Sequence, residues 1–572
     1  MLHSKNEFLS HPFLKEIKDL RESKMGIPGF YAWLKRTYPF LISSFRQRLR
    51  EKTLPIIDIL CLDLNGVIHE SCQKHFGYGE FVPPLKPIPF HVQERRAIQE
   101  VWRTIKFLID SFQPKEKVLI MVDGPAGKAK RQQQRARRYR SALASVMDEK
   151  EKFDPNSISP GTPFMDKLMA YLDQQIRKYL TEARSELEII FSSDKVPGEG
   201  EHKLINFLRK YEKVDTEKRI MLVGKDADLI MLALSIQNSL TDRFGPSMHI
   251  LREEELIDID ALRKELTNRL CWGLEASASS IIHDFIFFCF LLGNDFLPHS
   301  PTVDLMDDGL EVLFSAYLDV CHQAKSHLIV KKKIVSKVFI SLLHILALNE
   351  EDALLKARLQ PKFEDALFTK YYSQQEGKTS FNFLAYKQEY NTRFTSVHQG
   401  KTLLDACTPA QEYLKGMEWV FLYYTDGIPS WEWSYPYEYA PFASDLILAM
   451  EGYISCSFQL GKPLLPFHQL VTILPPQSKK LLPEEYQSLF SDMQTEVKID
   501  RSGKRFDWQA IVLCPPLPAN LDFVYNQLEK KYPYPRNRVE KERNYSFDSY
   551  FEETKKDLFS GPFQSNVRCR LL

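Results

Sequence analysis

Seven carboxylates stand where short apolar runs give way to polar turns. They are Asp63 in "CLDLNG", Asp123 in "MVDGPAG", Glu199 and Glu201 in "VPGEGEH", Asp226 and Asp228 in "KDADL", and Asp295 in "LLGNDFLP". Any one of them, taken alone, is more often a turn former or helix cap than a ligand. GEGE and DADL resist that reading, because each sets two acids two residues apart around a small residue. Both carboxylates of a pair then point into one site from an extended segment or a helix start. Gathered in one cleft, seven such groups cannot all stay ionised without cations, since like charges at contact distance repel by several kcal/mol at an intermediate dielectric. Oxygen ligands without His or Cys partners at metal spacing favour a hard ion, Mg²⁺ or Mn²⁺, which keeps waters and binds substrate phosphate.

Directly after Asp123 the chain becomes its most basic segment, with Lys128, Lys130, Arg131, Arg135, Arg137, Arg138 and Arg140. As a helix, Lys130, Gln134, Arg137 and Arg138 fall at steps of four, seven and eight and share one face. That face suits a phosphate, with Arg giving planar paired donors and Gln an amide; a solvated helix or a nuclear localisation run is the plainer alternative. A second source of chemistry is aromatic: ten such residues lie between Trp419 and Phe442. Most read as core, yet a Trp beside a Pro-rich turn can stack on an unpaired base, a contact worth ~1–3 kcal/mol. His69, six residues beyond Asp63, is another candidate ring, although a lone His is usually structural.

The elements that must position these groups alternate. "ILCLDLNG", "KVLIMVDG", "LEIIFSS" and "RIMLVGKDADLI" read as buried strands, and long helical patterns such as "VQERRAIQEVWRTIKFLIDSF" and "FMDKLMAYLDQQIRKYL" lie between them. This pattern predicts an α/β fold with a twisted, mostly parallel sheet flanked by helices. Ligands in such sheets gather outside the carboxyl ends of the strands, where the acids stand. After about residue 330 the chain is helical and charged, "KYYSQQEGKTSFN" reads as a linker or exposed connection, and the final residues read as a polar tail. The organisation expected is an extension over 1–24, a core over 25–330, a helical connection over 331–400, a second region over 401–530 closing the cleft, and a tail over 531–572.

Bulk properties narrow the class. A formal net charge of +1 confines any affinity for nucleic acid to local patches such as the basic segment. Nine scattered cysteines, an odd number without CxxC spacing, argue for reduced thiols and against a structural zinc. The N-terminus lacks the continuous apolar stretch of a secretory signal, and the longest apolar run, "FIFFCFLLG", is far shorter than the ~20 residues of a membrane span. An intracellular location is expected, with no membrane partner.

In order along the chain, "MGIPGFYAWLKRTYP", "CLDLNGVIHE", "VDGPAGKAKRQQQRARRYRSA", "ISPGTPFM", "VPGEGEHKLINFLR", "DADLIML", "FIFFCFLLGNDFLPH", "GIPSWEWSYPYEYAPF", "ILPPQSKKLLPEEY" and "DWQAIVL" resemble the motifs of the Xrn family of 5′-to-3′ exoribonucleases. The resemblance implies a PIN/flap-nuclease-like core completed by the second, mainly helical and aromatic-rich region. It implies that the seven acids bind metal, that Lys130, Gln134, Arg137 and Arg138 hold a 5′-monophosphate, and that the first base lies between His69 and either Trp431 or Trp433. The family pattern begins at Met25. The long C-terminal domains of larger cytoplasmic members and the zinc knuckle of many nuclear members are not seen, and a cytoplasmic site is expected over a nuclear one.

The expected activity is therefore hydrolysis of single-stranded, 5′-monophosphorylated RNA to mononucleotides in RNA turnover, with two Mg²⁺ ions that Mn²⁺ can replace. Three rivals differ from it. A flap-type DNA 5′ nuclease usually carries a helix-hairpin-helix clamp, for which no convincing Gly-rich hairpin is found. A haloacid-dehalogenase-like phosphatase needs a second acid where "DLN" has Asn65. A non-catalytic RNA-binding module would need some of the acids lost, and none is.

Overall fold

The computed structural model describes Ile27 and residues 29–83, 86–145, 153–183, 187–210, 218–236, 247–359, 364–375, 378–396, 409–490, 497–504, 509–517, 521, 525 and 569–571. The expected extension over 1–24 and all but three residues of the expected tail lie outside them.

The described residues build one eight-stranded sheet, seven strands of which run in the order β1-β7-β6-β5-β2-β3-β4: β1 Ile42–Ser44, β2 Ile59–Asp63, β3 Lys117–Met121, β4 Glu188–Ser192, β5 Arg219–Val223, β6 Ser247–Arg252 and β7 Glu255–Asp258. From β6 to β4 all neighbours run parallel, while β7 and β1 are antiparallel additions at one edge. At the other edge Cys569–Leu571 pairs in parallel with β4. The expected mostly parallel sheet is the one observed. β2 is buried at every position, and β3, β4 and β5 at all but their first, because helices cover both faces and leave no side for polar residues.

Alternation along each strand divides the core in two. Leu60, Leu62, Val118, Ile120, Ile189 and Phe191 face helices Phe90–Phe112 and Pro163–Ala183. Ile59, Cys61, Leu119, Met121, Ile190 and Leu222 face the opposite way, toward Gly200–Lys210, Asp228–Ser235 and Ala278–Phe288. This second cluster runs on past residue 330 into Ser336–Leu348, Pro409–Thr425 and Ala443–Met450, so the late helices complete the same core. Among the described residues, no helix is long and apolar enough to cross a membrane.

One expectation is corrected. The stretch read as a linker contains two strands, Tyr372–Gln375 and Lys378–Phe381, paired antiparallel. Its polar middle suggested an exposed connection, but aromatic residues at both ends anchor it: Tyr372 and Phe381 pack on Phe368 with ring centroids 5.0 and 5.2 Å away.

Candidate active site

The helices that matter are α1 Asn65–Phe76, α2 Lys128–Ser145, α3 Gly200–Lys210, α4 Asp228–Ser235, α5 Pro409–Thr425 and α6 Pro466–Ile473. β3 and β4 lie on one side of β2, β5 and β6 on the other, so the strand order reverses between β2 and β5 and opens a crevice at their carboxyl ends. Asp63 closes β2, and Asp226 and Asp228 follow β5. Asp123 follows β3, Glu199 and Glu201 flank the start of α3, and Asp295 enters from the turn after residues 289–292.

Close backbone packing aims these groups. The Gly200 N–H donates to Asp123 Oδ1 at 2.6 Å, and the Asp123 N–H donates to Asn65 Oδ1 at 3.1 Å. A side-chain carbon at Gly200 would lie 2.3 Å from Asp63 Oδ1, so the small residue inside GEGE is required by the approach of α3 to the end of β2. Ligand oxygens of Asp63, Asp123 and Glu201 then lie within 4.8 Å of one another. Asp63 Oδ1 and Asp228 Oδ1 are buried without a hydrogen-bond partner. Buried acceptors with no donor, in an all-oxygen set, fit a hard divalent cation.

The other acids meet the chain's own donors. Lys130 Nζ lies 2.5 Å from Glu199 Oε2 and 2.7 Å from Asp295 Oδ2, the Tyr423 hydroxyl donates to Glu199 Oε1 at 2.6 Å, and the Tyr424 hydroxyl bonds the Asp228 side chain. Burial, then the neighbouring negative charges, pushes Asp63, Glu201 and Asp228 well above the usual carboxylate range, and Asp123 upward. Asp226 is pushed up to about 6, chiefly by burial, with Lys130 opposing.

These directions give a pH dependence. Because the folded state takes up these protons more readily than the unfolded chain, the ion-free fold loses Asp226's contribution to stability as pH rises through about 6, and those of the other raised acids as pH rises through their own elevated values. A divalent ion must displace the same protons, so its affinity moves the other way. The rise in melting temperature caused by Mn²⁺ is expected to be small at pH 5.5 and to grow toward pH 7.5; a rise independent of pH would show that these carboxylates are not the ligands.

The basic segment is the helix expected, α2. Lys130 and Gln134 are buried, and Gln134 Oε1 and Arg138 Nη1 have no hydrogen-bond partner. Arg138 Nη2 donates to Ser159 Oγ at 2.8 Å. Burial, then Arg137, lowers the Arg138 guanidinium to about 9, and burial followed by Arg137 and Arg138 drives His69 down to about 3, leaving its imidazole neutral beside two cations. Arg137 also acts on Asp226, so the basic face borders the acid cluster.

The two tryptophans differ. Trp433 stacks on Trp419 at 5.3 Å and belongs to the large core cluster. Trp431, alone among the ten aromatics from Trp419 to Phe442, packs into none of the hydrophobic clusters of the described residues. Its main chain braces α2, the Lys128 N–H donating to Trp431 O at 2.9 Å. His69 has no ring partner among the described residues, so the structure does not itself join it to either tryptophan. The sequence reading did not single out Tyr423, Tyr424, His202, which stacks on Tyr423 at 3.7 Å, or Ser159.

The chain matches two family models. The first, described as XRN 5′-3′ exonuclease N-terminus, covers residues 25–254; the second, described as Xrn1 helical domain, covers 276–383 and 375–551. It is 28% identical over 589 residues to human 5′-3′ exoribonuclease 1, covering 86% of this chain and 33% of that protein. It is 27% identical to the Drosophila melanogaster 5′-3′ exoribonuclease 2 homolog, covering 86% of this chain and 69% of the relative. Similarity to 5′-3′ exoribonuclease 1 of Saccharomyces cerevisiae is 26%, over 94% of this chain and 46% of the relative. The chain thus spans from a third to about two thirds of the length of these relatives.

Proposed function

The chain belongs to the Xrn 5′-3′ exonuclease family, and from that premise we propose that it hydrolyses single-stranded RNA from a 5′-monophosphate end, one mononucleotide at a time, in RNA turnover. The observation that carries the reading is the continuity of two opposite fields: a helix face of Lys130, Gln134, Arg137 and Arg138 borders a crevice of seven acids. A terminal phosphate held on the basic face sets the next phosphodiester against the acids, which fixes where the chain is cut and makes the product a 5′-mononucleotide.

Asp63, Asp123, Glu199, Glu201, Asp226, Asp228 and Asp295 are the proposed ligands of two Mg²⁺ ions, which Mn²⁺ can replace. When bound, such ions supply Lewis acidity to the attacked phosphate, a water nucleophile and charge neutralisation at the leaving 3′-oxygen. The protein's own groups position. Arg137 and Arg138 orient the terminal phosphate, Tyr423 and Tyr424 hold Glu199 and Asp228, and neutral His69 offers a flat face to the first base. Trp431 is the proposed partner ring, since Trp433 is committed to Trp419. A base so held must be unpaired, which favours single strands. The described cysteine side chains are all free thiols, which supports a reducing compartment, and we assign the protein to the cytoplasm.

End-labelled RNA and DNA oligomers, with Mg²⁺ and with chelator, test the reading. Stepwise release of mononucleotides from the RNA 5′ end, absent in chelator, is the expected result. Preferential cleavage of branched DNA would favour a flap-type nuclease, and early internal fragments from a circular RNA would make the enzyme an endonuclease.

A further inference from the structure

The acid cluster divides into two unequal halves. In the first, Asp63, Asp123 and Glu201 converge, and Asp63 Oδ1 meets no donor at all. The nearby Lys203 ammonium is turned to main-chain oxygens, Val122 O at 2.7 Å and Ser193 O at 3.0 Å. In the second half a side chain already occupies the cation's place. Lys130 Nζ joins Glu199 Oε2 and Asp295 Oδ2, and Glu199's other oxygen accepts from Tyr423. Both oxygens of Glu199 are therefore taken by donors of the chain itself.

Lys130 is only 6% exposed, so its ammonium cannot be left without an anion. It also lies on α2 on the face it shares with Gln134, Arg137 and Arg138, where a flexible four-carbon stem gives it reach to a phosphate bound there. One ammonium thus has two competing partners, the Glu199 and Asp295 carboxylates or a terminal phosphate. A divalent ion entering the second half must compete with that ammonium for the same oxygens.

We propose that Lys130 is a built-in cation that closes the second half of the metal site until a 5′-phosphate draws it away, so that terminal phosphate and second ion bind cooperatively. The proposal rests on reading the basic face as the 5′-phosphate site. Its logic is linkage: phosphate gives the ammonium another anion, Glu199 and Asp295 are released, and each ligand raises the affinity of the other by the same factor, typically about 5–150-fold for such couplings. An end without phosphate leaves the lysine in place, so the second half is completed only on the correct RNA terminus.

Counting bound Mn²⁺ by paramagnetic resonance on the full chain tests this without any turnover. Wild type alone is expected to bind one ion tightly, and Lys130→Met two. Wild type with a 5′-phosphorylated RNA whose first linkage resists hydrolysis should bind two, and with the matching 5′-hydroxyl RNA one. Lys130→Gln, which keeps a polar side chain in the cluster, should also bind two ions and serves should the methionine variant fold poorly. Two ions of equal affinity in free wild type, a second ion indifferent to the 5′ group, or one ion in folded Lys130 variants overturns the proposal. Fluorescence anisotropy separates the underlying reading: equal binding of phosphorylated and hydroxyl RNA by wild type removes the 5′-phosphate site, while the ion count of free variants still decides whether Lys130 holds the second half closed.

Discussion

RNA with a 5′-monophosphate is expected to be degraded on the order of 10²-fold faster, in kcat/KM, than the same RNA with a 5′-hydroxyl. The estimate follows from two charge-assisted hydrogen bonds, one from each of Arg137 and Arg138, at about 1.5 kcal/mol or more apiece, where each 1.36 kcal/mol is tenfold in rate. Arg138 Nη1, a donor, is already buried without a partner, so the free protein carries an unmet demand for an anion that a hydroxyl end leaves standing. Triphosphate and capped ends should also be poor substrates, being too large for a pocket shaped around one phosphate. Arg137→Ala should narrow the gap between phosphate and hydroxyl ends mainly by slowing the phosphate substrate. Time courses with 3′-labelled RNA decide the matter: equal rates for all four ends would make the basic face a general backbone-binding surface.

Asp226→Ala is expected to lower turnover by more than the about 10–100-fold that losing an outer partner of a metal ligand typically costs, and to do so without unfolding the protein. In chelator this variant should be at least as stable as wild type, because Asp226 is buried among Asp295 and Asp123 and its charge is opposed there. Glu199→Ala should be equally inactive but less stable, since it leaves Lys130 one carboxylate short and the Tyr423 hydroxyl without its acceptor. Opposite movements of stability with a shared loss of activity separate each acid's part in the fold from its part in the reaction. Wild-type turnover that persists in excess EDTA would end the metal-dependent account.

Much of this arrangement was legible in the chain. The four central strands are continuous apolar runs because the sheet is covered on both faces, and the acids could be located because they follow those runs. β1 and β7 escaped notice because they are short, three and four residues, and β6 because Ser247, His249 and Arg252 interrupt its apolar residues. Tyr423 and Tyr424 read as core rings, and only the three-dimensional path of α5 turns their hydroxyls toward Glu199 and Asp228. Lys130 belongs on a helical wheel with Arg137 and Arg138. That its ammonium reaches Asp295, 165 residues away, depends on how the turn after residue 292 docks on α5, where Phe296 packs against Trp419 and Tyr423, which no local pattern encodes.

Helix α2 is fastened by residues far ahead of it. Lys128 is held by the Trp431 main chain, Ala126 by the Gln469 side chain at the start of α6, 343 residues later, and Arg140 by the carbonyl of Ala510, 370 residues later. On a ribosome adding ~5–20 residues per second, the basic helix therefore emerges roughly 20–70 s before its last fastener is made. Through that interval the nascent chain has strands and acids but no finished grip on an RNA terminus. The proposed hydrolysis therefore waits on these later residues, and stalled nascent chains ending before residue 431 should lack the activity that chains carrying residue 510 display.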